Sequence, residues 1–142
     1  MKIRNSFVSN SSSSSFVVMY NGDAKLSLCL PGASEPCLEL SVEEFMDMLD
    51  ECGGWRCESS GVRAVGIDEV CRRLASDSYC WTDGAESPEE VRRDECSRKI
   101  RRQMDESSMS EVAELEISYS DRQLKKIFDA FVRAGLIKEA KD

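Results

Sequence analysis

Apolar residues along the chain follow two periods, one of strands and one of helices. Residues 14–20, Ser14-Ser15-Phe16-Val17-Val18-Met19-Tyr20, are aromatic and β-branched and predict a strand. Asn21-Gly22-Asp23 follows, a hairpin-turn signal because Asn, Gly and Asp tolerate positive φ. Then Ala24, Leu26, Leu28 and Leu30 alternate with Lys25, Ser27 and Cys29 until Pro31-Gly32 ends the run. Together these runs predict an antiparallel N-terminal hairpin with one face buried. A second alternation, Ala113, Leu115, Ile117 and Tyr119 against Glu114, Glu116 and Ser118, predicts a half-buried C-terminal strand.

Helical spacing governs the rest. Val42, Phe45, Met46, Leu49 and Cys52 form one stripe behind Ser41 and Glu44, whose side chains can form a capping box; Gly53-Gly54 follow as a stop. Val62 to Val65 suits a short strand. A second helix carries Ile67, Val70, Cys71, Leu74 and Ala75 on one face. The spacing of residues 84–110 predicts an exposed charged helix, with Pro88 at its first helical position and Cys96, Ile100 and Met104 on a narrow apolar face. A last helix, capped by Ser120 and Gln123, presents Leu124, Ile127, Phe128, Phe131 and Val132, ends at Gly135, and lets Leu136-Ile137 pack back on the core.

Strands near both ends with helices between them predict a single α+β domain over residues 1–142, with residues 1–15 as a Ser-rich amino-terminal segment. Its sheet is small and mostly antiparallel, the N-terminal hairpin plus the C-terminal strand, and about four helices cover it on one face.

Charge and cysteine content narrow the function classes. A net charge of −8 lacks the positive footprint that nucleic acid or an anionic membrane demands, and suits solubility or a protein partner with a basic surface. No apolar run reaches the ~20 residues of a membrane span. Met1-Lys2-Ile3-Arg4 has the charge of a secretion signal, but Asn5, Ser6, Ser9 and Asn10 interrupt the ~7–15 apolar residues that should follow, which predicts a cytoplasmic protein. An odd count of seven cysteines without such a signal argues for reduced thiols used as core filler.

Candidate chemistry is sparse. The chain has no histidine, so neither a Ser-His-Asp nor a Cys-His arrangement can form within it. Neither a P-loop nor a dinucleotide-binding glycine pattern occurs. Cys52 and Cys57 are weak metal candidates, because no second cysteine pair has matching spacing. Arg98, Lys99, Arg101 and Arg102 form the one cationic cluster, a possible anion contact whose simpler reading is complementing a helix C-terminus. No cofactor is implied.

One string remains, Arg4-Asn5-Ser6-Phe7-Val8-Ser9-Asn10 followed by Ser11 to Ser15 and Phe16. It can be read as a flexible polar tract, as a phosphate-contacting loop, or as a hydroxyl-dense segment displayed to a partner between the apolar clusters Phe7-Val8 and Phe16-Val17-Val18. It resembles an amino-terminal signature, R-x-x-F-V-S-N-S-S-S-S-S-F, of small uncharacterised proteins of bacteriophages and bacterial mobile elements. Ser6 stands where glycine is commoner, and the resemblance covers about the first tenth of the chain. It implies a phage-infected or bacterial host cell and no particular activity.

These readings predict a non-enzymatic accessory protein that binds another protein, such as a host or defence factor that it would inhibit, through Arg4, Asn10 and Ser11, Ser12, Ser13, Ser14 and Ser15. The alternative is a small-ligand or nucleotide-binding protein, enzymatic or not, whose Ser/Asn-rich loop contacts phosphate.

Overall fold

The computed structural model describes residues 13–28, 32, 34, 38–53, 60–76 and 88–141. Along the chain these form β1 (Ser13–Tyr20), β2 (Lys25–Leu28), β3 (Leu38–Ser41), α1 (Val42–Gly53), β4 (Gly61–Val65), α2 (Ile67–Ser76), α3 (Glu89–Ser107), β5 (Glu111–Ser118), α4 (Arg122–Arg133) and β6 (Ile137–Glu139). The α+β class and the mostly antiparallel sheet expected from the sequence are present. Four strands lie in the order β4-β5-β1-β6, and β2 with β3 forms a separate two-stranded sheet.

β1 is the centre. It pairs antiparallel with β5 from Ser13↔Ser118 to Tyr20↔Glu111, and with β6 from Val18↔Glu139 to Tyr20↔Ile137. Both edges of β1 are therefore occupied, so the predicted β1–β2 hairpin does not form. The turn between them does form, with the Ala24 N–H donating to the Asn21 carbonyl at 3.0 Å. None of its residues has positive φ, whereas the turns that keep two strands paired need it. The chain splays, and β2 pairs with β3 instead, from Lys25↔Ser41 to Leu28↔Leu38.

Helices lie on both faces of the four-stranded sheet, where the sequence suggested one. Phe16, Val18 and Tyr20 of β1, with Ala113, Leu115 and Ile117 of β5, face Val42, Phe45, Met46 and Leu49 of α1 and Leu124, Phe128 and Phe131 of α4. The Phe16 and Phe128 rings lie 4.7 Å apart between centroids, and those of Phe45 and Phe131 5.4 Å. The alternate residues Val17, Met19 and Val112 face Val70, Cys71 and Leu74 of α2 and Cys96 and Ile100 of α3. Period 2 puts successive strand residues on opposite faces, so the unbroken run from Phe16 to Tyr20 requires two apolar layers. Cys71 and Cys96 are buried in the second layer, and burial pushes the Cys71 thiol up to about 11. The Cys52 side chain lies outside the described residues.

The helix ends show where local signals succeed. Ser41 and Glu44 form the expected capping box: the Ser41 N–H donates to Glu44 Oε1 at 2.9 Å and the Glu44 N–H to Ser41 Oγ at 3.0 Å. At the end of α4, Gly135 adopts φ +78°. There its N–H reaches the Val132 carbonyl and that of Leu136 reaches Phe131, a Schellman closure that favours glycine. Two caps differ from expectation. Pro88 precedes the first residue of α3, with ψ 148°, and α4 is entered through Asp121 rather than a Ser120–Gln123 box. The Asp121 carboxylate is diverted to the Ser60 hydroxyl, which also accepts the Ser118 N–H at 2.8 Å.

Candidate functional site

Of the residues singled out in the sequence, Arg4, Asn10, Ser11, Ser12 and Cys57 lie outside the described residues. Ser13, Ser14 and Ser15 open β1, opposite Ser118, Ile117 and Glu116. Ser15 is buried, and the Ser14 hydroxyl donates to the exposed Tyr119 hydroxyl at 3.1 Å. Arg98, Lys99, Arg101 and Arg102 fall in the middle of α3, whose last turn contains no basic residue, so they do not serve its C-terminus. Arg98 Nε donates to the Asp94 carbonyl and Arg101 Nε to Ser97 Oγ. The cluster is also divided: Arg101 lines a cleft beside Met104, while Lys99 is half-buried. Among the described residues, no group of three or more Cys, Asp or Glu side chains is placed to hold a metal ion. No helix among them is long and apolar enough to cross a membrane.

Three features emerge that residue patterns alone did not reveal. The first is a polar end on the second sheet face. Glu114 and Glu116 of β5 project there with Ser15, beneath a layer that is otherwise apolar. Glu114, its side chain 7% exposed, accepts from Arg73 Nε of α2 at 2.7 Å. Glu116 accepts from Arg63 Nε at 3.1 Å. Arg63 reaches it because β4 is bulged: the register shifts between Val62↔Leu115 and Ala64↔Glu114, and a bulge re-aims the side chain at the extra residue. With each carboxylate held by a guanidinium, this network is built for position, fixing α2 and β4 against β5. The sequence signal for it was the five-residue apolar run in β1, which already demanded a second covered face.

The second feature is the outward side of α1. Glu43, Glu44, Asp47, Asp50 and Glu51 are all exposed, and the helix contains no cation. Two of the five have structural tasks. Glu44 completes the capping box, and Asp50 Oδ1 accepts the Val62 N–H at 2.8 Å. Glu43, Asp47 and Glu51 recur every fourth residue, a stripe rising about 6 Å per step. Among the described residues none of the three forms an ion pair. Like charges at this spacing destabilise a helix by roughly 0.2–0.5 kcal/mol per pair, and Glu51 also lies at the helix's negative end. Glu43, in the first turn, suits the helix dipole, so the cost falls on Asp47 and Glu51.

The third feature is a pair of clefts between α2 and α3. One, of about 270 Å³, is lined by Asp68, Arg93 and Asp94, with Cys71 at its base; the raised thiol makes that cysteine a poor nucleophile. The other, of about 380 Å³, opens beside Arg101 and Met104. Compared with known proteins, the chain matches no family model, no curated protein sequence and no solved structure.

Proposed function

We propose that this chain is a small acidic accessory protein without catalytic activity, of bacteriophage or mobile-element type, that acts by binding a protein with a basic surface. The observation carrying this reading is the uncompensated stripe of Glu43, Asp47 and Glu51 on the exposed side of α1. Exposed carboxylates that repel one another along a helix gain a purpose when a cationic partner neutralises them. The net charge of −8 extends the same field and favours rapid encounter with such a partner. The phage or mobile-element setting rests on the amino-terminal string from Arg4 to Phe16.

The test is capture from a bacterial host lysate with the protein and with a neutralised variant, Glu43→Gln, Asp47→Asn and Glu51→Gln. A stoichiometric partner, released by high salt and bound about tenfold or more weakly by the variant, is the expected result. Equal capture by both proteins, or no partner together with substrate turnover by the purified protein, would overturn the proposal. Because all three substituted side chains are exposed, the variant is expected to retain its fold.

A further inference from the structure

The larger cleft lies between the start of α2 and the carboxy-terminal half of α3, floored by the beginning of β5. Ile67, Met104 and Met109, each half-buried, and buried Val112 supply apolar walls. At the mouth stand Arg101 and Asp105, both exposed. A volume of about 380 Å³ lies within the usual range for small-molecule sites, and the open lining joins these apolar side chains to a polar surface of at least equal extent.

The two charged residues are the informative part. Arg101 uses Nε on Ser97 Oγ at 3.1 Å, and its terminal amines have no hydrogen-bond or ion-pair partner among the described residues. The Asp105 carboxylate likewise has none among them. They are four residues apart on one helix, with Cβ atoms about 5–6 Å apart in that relation, yet they do not pair. Cation before acid is the weaker order for such a pair. A guanidinium fork and a carboxylate, both unengaged above an apolar wall, complement a ligand bearing carboxylate, ammonium and an apolar chain on one carbon. Methionine walls suit such chains, because an unbranched thioether adapts to branched or linear shapes.

We infer that this cleft binds a free apolar α-amino acid: its carboxylate on the terminal amines of Arg101, its ammonium on Asp105, and its side chain between Met104 and Met109. The site lies on the sheet face opposite α1 and goes beyond the protein-binding reading, so either idea can fail without the other.

Amide chemical-shift titration of the full chain with L-leucine tests it. Saturable shifts centred on Met104, Met109 and Ser110 at millimolar ligand are expected. Arg101→Ala and Asp105→Asn should each weaken binding about tenfold or more, the loss of one charge-assisted contact. Two single-charge analogues, 4-methylpentanoate and 3-methylbutylamine, should bind at least as weakly as leucine binds those variants. No shifts with leucine, shifts unchanged in both variants, or 4-methylpentanoate binding as tightly as leucine would each overturn the inference. Both substituted residues are exposed, and unchanged thermal midpoints would confirm that lost binding is not lost fold.

Discussion

A carboxylate placed on the covered face of a sheet must be met by charge, because desolvating it alone costs several kcal/mol. Glu114 meets Arg73, whose side chain remains 41% exposed, so the pair is only half withdrawn from water. Partial solvation keeps the attraction modest and leaves geometry as the pair's main contribution: it fixes α2 over β5. Arg73→Met should therefore destabilise the protein by about 1–3 kcal/mol, below the 3–5 kcal/mol of a fully buried broken pair. The double variant Glu114→Leu/Arg73→Met should recover most of that loss, since two apolar groups of similar size suit the surrounding layer of Val70, Leu74 and Val17. Denaturant midpoints of the two single variants and the double variant give the coupling directly. Strictly additive effects would mean that the two side chains do not act on each other.

The elements divide according to how local their causes are. The capping box of α1 was legible because all of it lies within four residues, and it has a pH signature. Hydrogen bonding from the Ser41 backbone N–H first, and then from the Ser41 side chain, holds the Glu44 carboxyl below its ordinary range. A depressed value means that the ionised form is bound more strongly in the folded state. Its contribution is present above the unfolded value and disappears as pH falls through the folded one. The stability difference between the protein and its Glu44→Gln variant should accordingly be largest at neutral pH and shrink on acidification through and below the usual carboxylate range. A difference constant from neutral to acid pH would refute the ionised cap. The helices α2 and α4 were equally legible from their apolar stripes. By contrast, β3 and β6 were not, since four and three residues carry too little periodicity to register. The wrong partner for β1 came from reading Asn21-Gly22-Asp23 by composition, when its backbone angles are those of a turn that splays strands. At α4 a tertiary contact, Ser60 to Asp121, displaced a local cap, and nothing within the helix's own sequence could announce it.

At the scale of the molecule, the candidate sites were the least legible part because each depends on which layer covers which face. Alternation in β5 marked Glu114 and Glu116 as facing away from one core, and only the second helical layer turns that face inward. The serine run shows the same dependence. Its last three residues are strand, joined to β5 across from Ser118, Ile117 and Glu116, and Ser15 is buried. Any display of hydroxyls to a partner thus falls to the residues before Ser13 and to half-buried Ser14. β1 and β5 share eight paired positions and contribute to both apolar layers. The β2–β3 ribbon has four pairs and leaves Leu38 53% exposed. Two-stranded ribbons are marginal alone, and opening energies within one protein range from near zero to the global value. Native-state hydrogen exchange should therefore find the bonded amides of Val17–Tyr20 and Val112–Ile117 opening only with global unfolding. Those of Lys25–Leu28 should open at least about 2 kcal/mol more cheaply. The β5-facing amides of Ser14 and Phe16 belong with the slow set, since their strand has no free edge on the β5 side. If they exchanged as fast as an unfolded chain, the serines would not be part of the sheet, and the anchoring of the amino-terminal string would have to be sought elsewhere. If instead the β2–β3 ribbon exchanged as slowly as β1, the two sheets would unfold as one unit despite their separate pairing.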